Sequence, residues 1–360
     1  VEGERRRDSG IDVLAEATNH GTINAKANAN ALSKTEFAFA EAEAAGIDQE
    51  VDDGLLTSTA RATNTSMQSI NAWATADAQA GWVAEGYAGA AGIYQDVEEA
   101  LATLADATNS GAINAAADAM AAVTYNEAFA FAESGGIVQE VDGYVEGAPG
   151  ETGTAMTDNS GTVMSTANSK ATAGDLGATA VARADGVSQD VWDAETLLTK
   201  VINSNRIDAM ATANATADTY VMALAYADGI EQELGGSDST AFIDNQAGAF
   251  VTAMAKSTAT GVEGYAHAVA KGADIYGDDD LMLDISNAGV MDADAVSKAS
   301  EEANALSAGI WAEAGQLEGT ITNTFQVFAD ADATSKDGEV NAFGIVQVVD
   351  NFPAAQVGVG

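Results

Sequence analysis

Two neighbouring stretches decide the fold: Asn109-Ser110-Gly111-Ala112-Ile113-Asn114-Ala115-Ala116-Ala117-Asp118-Ala119 and Ala128-Phe129-Ala130-Phe131-Ala132-Glu133-Ser134-Gly135-Gly136-Ile137-Val138-Gln139-Glu140-Val141. In the first, Asn109, Gly111, Ile113, Ala115, Ala117 and Ala119 put a small or apolar residue at every second position. Side chains of a strand alternate faces with period two, whereas a helix repeats near 3.6. Alanine is the best helix former, but Gly, Asn and Thr between the alanines disfavour helix. The spacing therefore predicts a strand with one inward face. The same pattern recurs at Asn19, Gly21, Ile23, Ala25, Ala27 and Ala29, and at Asn203, Asn205, Ile207, Ala209, Ala211 and Ala213.

The second stretch changes parity. Ala128, Ala130 and Ala132 are even positions, and Ile137, Gln139 and Val141 are odd ones. A strand cannot exchange its faces without a bulge or corner. The change recurs between Ala184 and Val187, and between Ala227 and Ile230. Gly46, Gly92, Gly136, Gly186, Gly229, Gly309 and Gly344 directly precede the set of changed parity, and glycine tolerates the backbone angles a corner needs. Each unit thus reads as strand, corner, strand, then a more variable stretch leading to the next Asn.

The anchors Ile47, Ile93, Ile137, Val187, Ile230, Ile275, Ile310 and Ile345 repeat this unit eight times at intervals of 35 to 50 residues. A unit of fixed period buries its inner face against the next copy. The expected fold is all-β: a parallel β-solenoid of about eight large coils around a flat, Ala-rich core, with two small coils per unit as the alternative. Residues 1–18 read as an N-terminal segment, 19–349 as the repeats and 350–360 as a tail. Residues 142–158, with Pro149, read as an extruded loop.

Two rows of amides run through the repeats. Gln49, Gln95, Gln139, Gln189, Gln232 and Gln347 follow the anchors by two residues, with Gly277 and Ala312 breaking the series. Asn19, Asn109, Asn159, Asn203, Asn287 and Asn323 open the units, and Asn245 falls in the same place. Stacked amides hydrogen-bond along a cross-β axis, so both rows read as structural ladders; a row of ligand-binding amides is the functional alternative. Between the inner alanines stand Phe37, Phe39, Tyr87, Phe129, Phe131, Tyr226 and Tyr265. With alanines inward these face outward, as a contact surface or as a surface covered by the chain's own loops.

The net charge is -41, from 55 acidic and 14 basic residues. Such a surface repels nucleic acid and anionic membranes, and no apolar run is long enough to span a bilayer as a helix. Without cysteine there is neither a disulfide framework nor a thiolate metal site. The start at Val1-Glu2-Gly3 fits a processed, exported chain. Asp278, Asp279 and Asp280 form the densest acidic run. Asp330, Asp332, Asp337, Gly338 and Glu339 resemble a calcium loop only loosely, with ligands out of place. Both read as solvated loops; the acidic surface reads as simple solubility or, alternatively, as a collector of divalent cations such as Ca2+, which has no specific motif here. His20 and His267 lie far apart, and no P-loop, catalytic triad or histidine metal cluster is present. Arg5, Arg6 and Arg7 at the head, and the tail around Phe352, read as subunit contacts: a basic head and acidic body suit head-to-tail stacking.

The repeated N-S-G-x-I-x-A-x-A and A-x-A-x-G-I-x-Q, as at Asn109 to Ala117 and Ala130 to Gln139, resemble the units of large repetitive secreted microbial β-solenoid proteins of adhesin-like or hemagglutinin-like type. The resemblance covers nearly the whole chain and implies an extracellular or cell-surface protein of structural or adhesive role, with no catalytic residues to carry over. The expected function is a homopolymer that stacks into a filament or matrix fibre. An adhesin or carbohydrate-binding module, with a glycan or cell-surface partner, is the alternative, and a polysaccharide-cleaving enzyme a third.

Overall fold

The computed structural model describes residues 12–52, 54, 56–143 and 150–349. Every regular element among them is a strand. The first unit holds β1 (Asp12–Asn19), β2 (Thr22–Leu32) and β3 (Phe37–Val51). The second holds β4 (Thr57–Asn64), β5 (Ser69–Ala80) and β6 (Val83–Val97); the third β7 (Ala102–Asn109), β8 (Ala112–Val123) and β9 (Glu127–Asp142). The fourth holds β10 (Thr152–Asn159), β11 (Thr162–Thr172) and β12 (Gly177–Trp192); the fifth β13 (Thr196–Asn203), β14 (Arg206–Thr216) and β15 (Tyr220–Gly235). Then come β16 (Asp238–Asn245), β17 (Phe250–Thr260), β18 (Glu263–Asn287), β19 (Val290–Lys298), β20 (Glu302–Asn323), β21 (Gln326–Thr334) and β22 (Asp337–Val349).

All described pairing is parallel and joins a strand to its counterpart one unit away. Thus β1 pairs β4, β2 pairs β5 and β3 pairs β6, residue for residue. The pairs form an 8-stranded sheet, β2-β5-β8-β11-β14-β17-β19-β21, and a 14-stranded sheet. The larger sheet combines the β1 row with the β3 row. They merge because β18 and β20 run unbroken through the place where earlier units have a loop. One half of β18 pairs β15 and the other pairs β16. The shorter late units have therefore lost connecting loop and kept their strands.

The inner face divides into two cores. One is almost wholly alanine, between the 8-stranded sheet and the first half of the β3 row, with Ala74, Ala117, Ala130, Ala180 and Ala211 at its centre. The other is larger in side chain: Ile93, Ile137, Leu197 and Ile230 are fully buried between the β1 row and the second half of the β3 row, joined by Ile70, Ile113 and Ile207 from the starts of the strands of the 8-stranded sheet. An alanine methyl buries little area. The thin half of each layer is held by its continuous backbone ladders and by close dispersion contact.

The face exchange falls within single strands. In β3 the inward residues are Ala38, Ala40, Ala42 and Ala44 before Gly46, and Ile47, Gln49 and Val51 after it. Ladder partners step from Ala45↔Ala91 to Ile47↔Ile93, leaving both glycines out of the register. Closeness, not a left-handed backbone, demands glycine here: the described positive-φ glycines are Gly150, Gly248 and Gly319. A Cβ on Gly136 would lie 2.2 Å from Val163 Cγ1 and 2.4 Å from the Gly186 carbonyl oxygen. The strand is pressed against the Ile or Val that opens the facing sheet, and against its own copy in the next layer.

Four sequence expectations need correction. Asp278, Asp279 and Asp280, read as a loop, lie within β18, and Asp330 and Asp332 lie on β21 and Asp337, Gly338 and Glu339 on β22. In the sixth unit the anchor is Ala273, because Ile230 pairs Ala273 and Ala273 pairs Ile310. Its glycine is Gly272, whose added Cβ would sit 2.5 Å from the Gly309 carbonyl; the row has eight members, and Ile275 occupies the Gln position. Residues 152–158 belong to β10, so the connection is shorter than 142–158; Pro149 lies outside the described residues. The repeats begin before residue 19, since β1 starts at Asp12. Arg5, Arg6, Arg7 and Phe352 lie outside the described residues.

Candidate functional site

The Asn row ends the β1-type strand of each unit. Asn19 donates through Nδ2 to Asn64 Oδ1 at 2.9 Å, Asn64 to Asn109, and so on through Asn159, Asn203, Asn245 and Asn287 to Asn323. Each Nδ2 also donates to the carbonyl of the residue that opens the next layer's second strand, as Asn109 does to Thr162. Oδ1 of Asn19, Asn109 and Asn203 accepts the backbone N–H two residues on. The amide therefore fixes both the layer spacing and the turn into the second strand. Asn64 also belongs to this row but escapes the repeat pattern, because Thr65-Ser66-Met67-Gln68 follows it in place of Ser-Gly, with Met67 at a φ of 64°.

The Gln row runs with the opposite polarity. Gln95 donates to Gln49, Gln139 to Gln95, Gln189 to Gln139 and Gln232 to Gln189, over 2.7–2.9 Å. All five are buried. The series stops at Gln232, whose Oε1 is buried without a hydrogen-bond partner because Ile275 stands beside it. Gln347 lies beyond Ala312, exposed on β22 and apart from the other five.

One residue after each Gln, on the outer side, stand Glu50, Asp96, Glu140, Asp190 and Glu233, paired strand to strand. Burial, followed by neighbouring carboxylates, pushes Asp96 and Asp190 up to about 7. Glu233 is raised by the same causes. Tyr94 donates its hydroxyl to Glu140 at 2.7 Å.

The aromatic residues also face outward. Phe39, Tyr87 and Phe129 stack at 5.5 Å between ring centroids, and Phe131 lies 6.3 Å from Tyr87. Tyr265 packs on Tyr220 at 5.7 Å and Tyr226 on His267 at 6.0 Å. The first group and the second lie on different layers, and Phe37, at 52% exposed, is more open than Phe39 or Tyr265. A shallow hollow of about 400 Å³ opens on the β1 row, lined by Leu198, Lys200, Phe242, Met282 and Thr320.

Among the described residues, β1, β2 and β3 have partners on one side only, and so do β21, β22 and the second half of β20. On β22, Val340, Ile345 and Val349 occupy inward positions, paired with Ala305, Ile310 and Ala314, yet are 49%, 44% and 52% exposed.

Among the described residues no helix is long and apolar enough to cross a membrane. No protein-family model, curated protein or solved structure matches this chain.

Proposed function

We propose that the chain is a structural protein, a parallel β-solenoid of eight coils with one coil per unit, which stacks end to end with copies of itself into an extracellular fibre. The pairing interval carries this reading. Each described ladder bond of the amide rows spans one whole unit, 36–50 residues. Each unit is then one layer, and the outermost layers present three parallel strand edges that match one another. Unpaired edges template the addition of another chain.

The side chains at the two edges are complementary. Asn323, at the end of its row, would donate to Asn19 of the added copy as Asn287 donates to Asn323. Gln49 of the added copy would donate to Gln347, which gives the isolated sixth glutamine of its row a role. Val340, Ile345 and Val349 would be covered. A contact between unlike ends does not close, so it extends as a fibre. A charge of -41 opposes assembly and makes it depend on salt. The extracellular setting is supported by the resemblance in repeat style. Glycan binding along the aromatic row is the weaker reading, because those rings already spend contact on each other.

Electron microscopy and sedimentation of the purified chain, over rising protein and salt concentration, test this. The expected result is fibres with an axial repeat of about 4.8 Å. A monodisperse monomer under every condition would overturn it.

A further inference from the structure

The exchange of faces at the glycine row has a consequence on the outside of the strand. Outward side chains before and after the glycine converge there: a Cβ added to Gly135 would lie 2.2 Å from Val138 Cγ2. The bend makes a re-entrant corner, and residues that face outward are buried in it. In β12 and β15 these are Asp185, Ser188, Asp228 and Glu231, each 5–7% exposed.

Asp228, Glu231 and Asp274 each bring a carboxylate oxygen to within 4.8 Å of the other two. Two oxygens at 2.3–2.6 Å from one calcium ion span at most about 5 Å, so one ion can touch all three. Two cations already sit nearby. Arg183 donates through one terminal nitrogen to both oxygens of Glu231 at 2.7 Å and through Nε to Asp185 at 3.1 Å. Lys271 pairs with Asp274. Neither cation donates a hydrogen bond to Asp228 Oδ1, which is buried without a hydrogen-bond partner, and so is Oδ1 of Asp185, paired opposite it on the neighbouring strand. Asp185, Asp228, Glu231 and Asp274 thus face two cations, and Asp190 and Glu233 add further negative charge close by. A buried carboxylate is stable only when paired, metal-bound or protonated. Oxygen-only ligands select a hard divalent ion.

We propose that Asp228, Glu231 and Asp274 bind a calcium ion in this corner, with Asp185 as a further oxygen donor beside it. The ion satisfies the oxygen that Arg183 and Lys271 leave unpartnered, and it ties β15 to β18 across a layer boundary. It also relieves part of the repulsion along the outer carboxylates.

The proposal is tested by titrating the metal-stripped chain with Tb3+, in excess monovalent salt, and displacing it with Ca2+ or Mg2+. Trp311 stands on the adjacent strand, paired opposite Asp274, and serves as the sensitiser. One saturable site is expected, displaced by Ca2+ more readily than by Mg2+. Asp228→Asn should weaken it more than about tenfold, and Asp96→Asn, elsewhere on the acidic face, should leave it unchanged. Ca2+ should raise the Tm of the native chain and not that of Asp228→Asn. In chelator, Asp228→Asn should be at least as stable as the native chain, because it removes an unpaired buried charge. Equal binding by the native chain and Asp228→Asn would reduce the effect to diffuse counterions and overturn the proposal. So would the absence of saturable binding, in which case the carboxyls are held by protons. If Asp228→Asn fails to fold, Glu231→Gln read by the same luminescence decides.

Discussion

Gln139 and Glu140 are neighbours in sequence, and each belongs to a row stacked strand upon strand through five layers. The inner row, Gln49 to Gln232, is a chain of hydrogen bonds between identical side chains. The outer row, Glu50 to Glu233, stacks like charges at the same spacing. Repetition in register rewards a group that is both donor and acceptor and penalises a group that is only a charge. One geometry thus produces a zipper on one face of a strand and a stack of like charges on the other. The neutral row holds the layers together; the charged row makes them respond to pH, salt and cations.

Disturbing the register that both rows share should have the largest effect. Gly136→Ala would drive a methyl into Val163 and the Gly186 carbonyl. It should cost at least about 4 kcal/mol, read by denaturant unfolding, or prevent folding. Converting the inner row into a copy of the outer one comes next. Gln139→Glu places an uncompensated charge among Gln95, Gln189 and Thr157. It should cost about 3–5 kcal/mol at pH above neutral and less in acid, where the new carboxyl is protonated.

The outer row supplies a third test. Asp96 and Asp190 are raised from 3.8 to about 7 when folded. Between those values the folded chain holds protons that the unfolded chain has released. Stability should therefore be greatest on the acid side, fall as pH rises toward about 7, and level off above it. Tm measured in chelator across that window checks the sign. The smallest effect is the mirror of the Gln139 change. Asp96→Asn should stabilise by up to about 1 kcal/mol above pH 7, since the half-buried site is screened, and by nothing near pH 4.

Much of this was legible in the chain. Period two and the parity change predict which residues of β3, β9, β12 and β15 face inward. The location of the corner glycines follows too, although their requirement is steric. Two local departures from the repeat hide the rest of the rows. Lys271-Gly272-Ala273-Asp274-Ile275 lacks a branched residue after its glycine, so Ile275 draws the anchor away from Ala273. Asn64 has lost its glycine to a longer turn. The acidic corner was not legible, because Asp185, Asp228, Glu231 and Asp274 become neighbours only when a bend brings both sides of a glycine together across three adjacent strands, β12, β15 and β18. A period counted along one strand carries no sign of that convergence.

The assembly reading is tested most directly by cross-linking between the two edges. The chain has no cysteine, so Asn19→Cys and Asn323→Cys can be made singly and mixed under oxidation. Neighbouring parallel strands lie about 4.8 Å apart, within the Cα separation that a disulfide tolerates. Stacking of unlike ends predicts that the mixed dimer, one Asn19→Cys chain joined to one Asn323→Cys chain, forms in large excess over either homodimer and faster in high salt. Equal yields of all three dimers, or none, would contradict it.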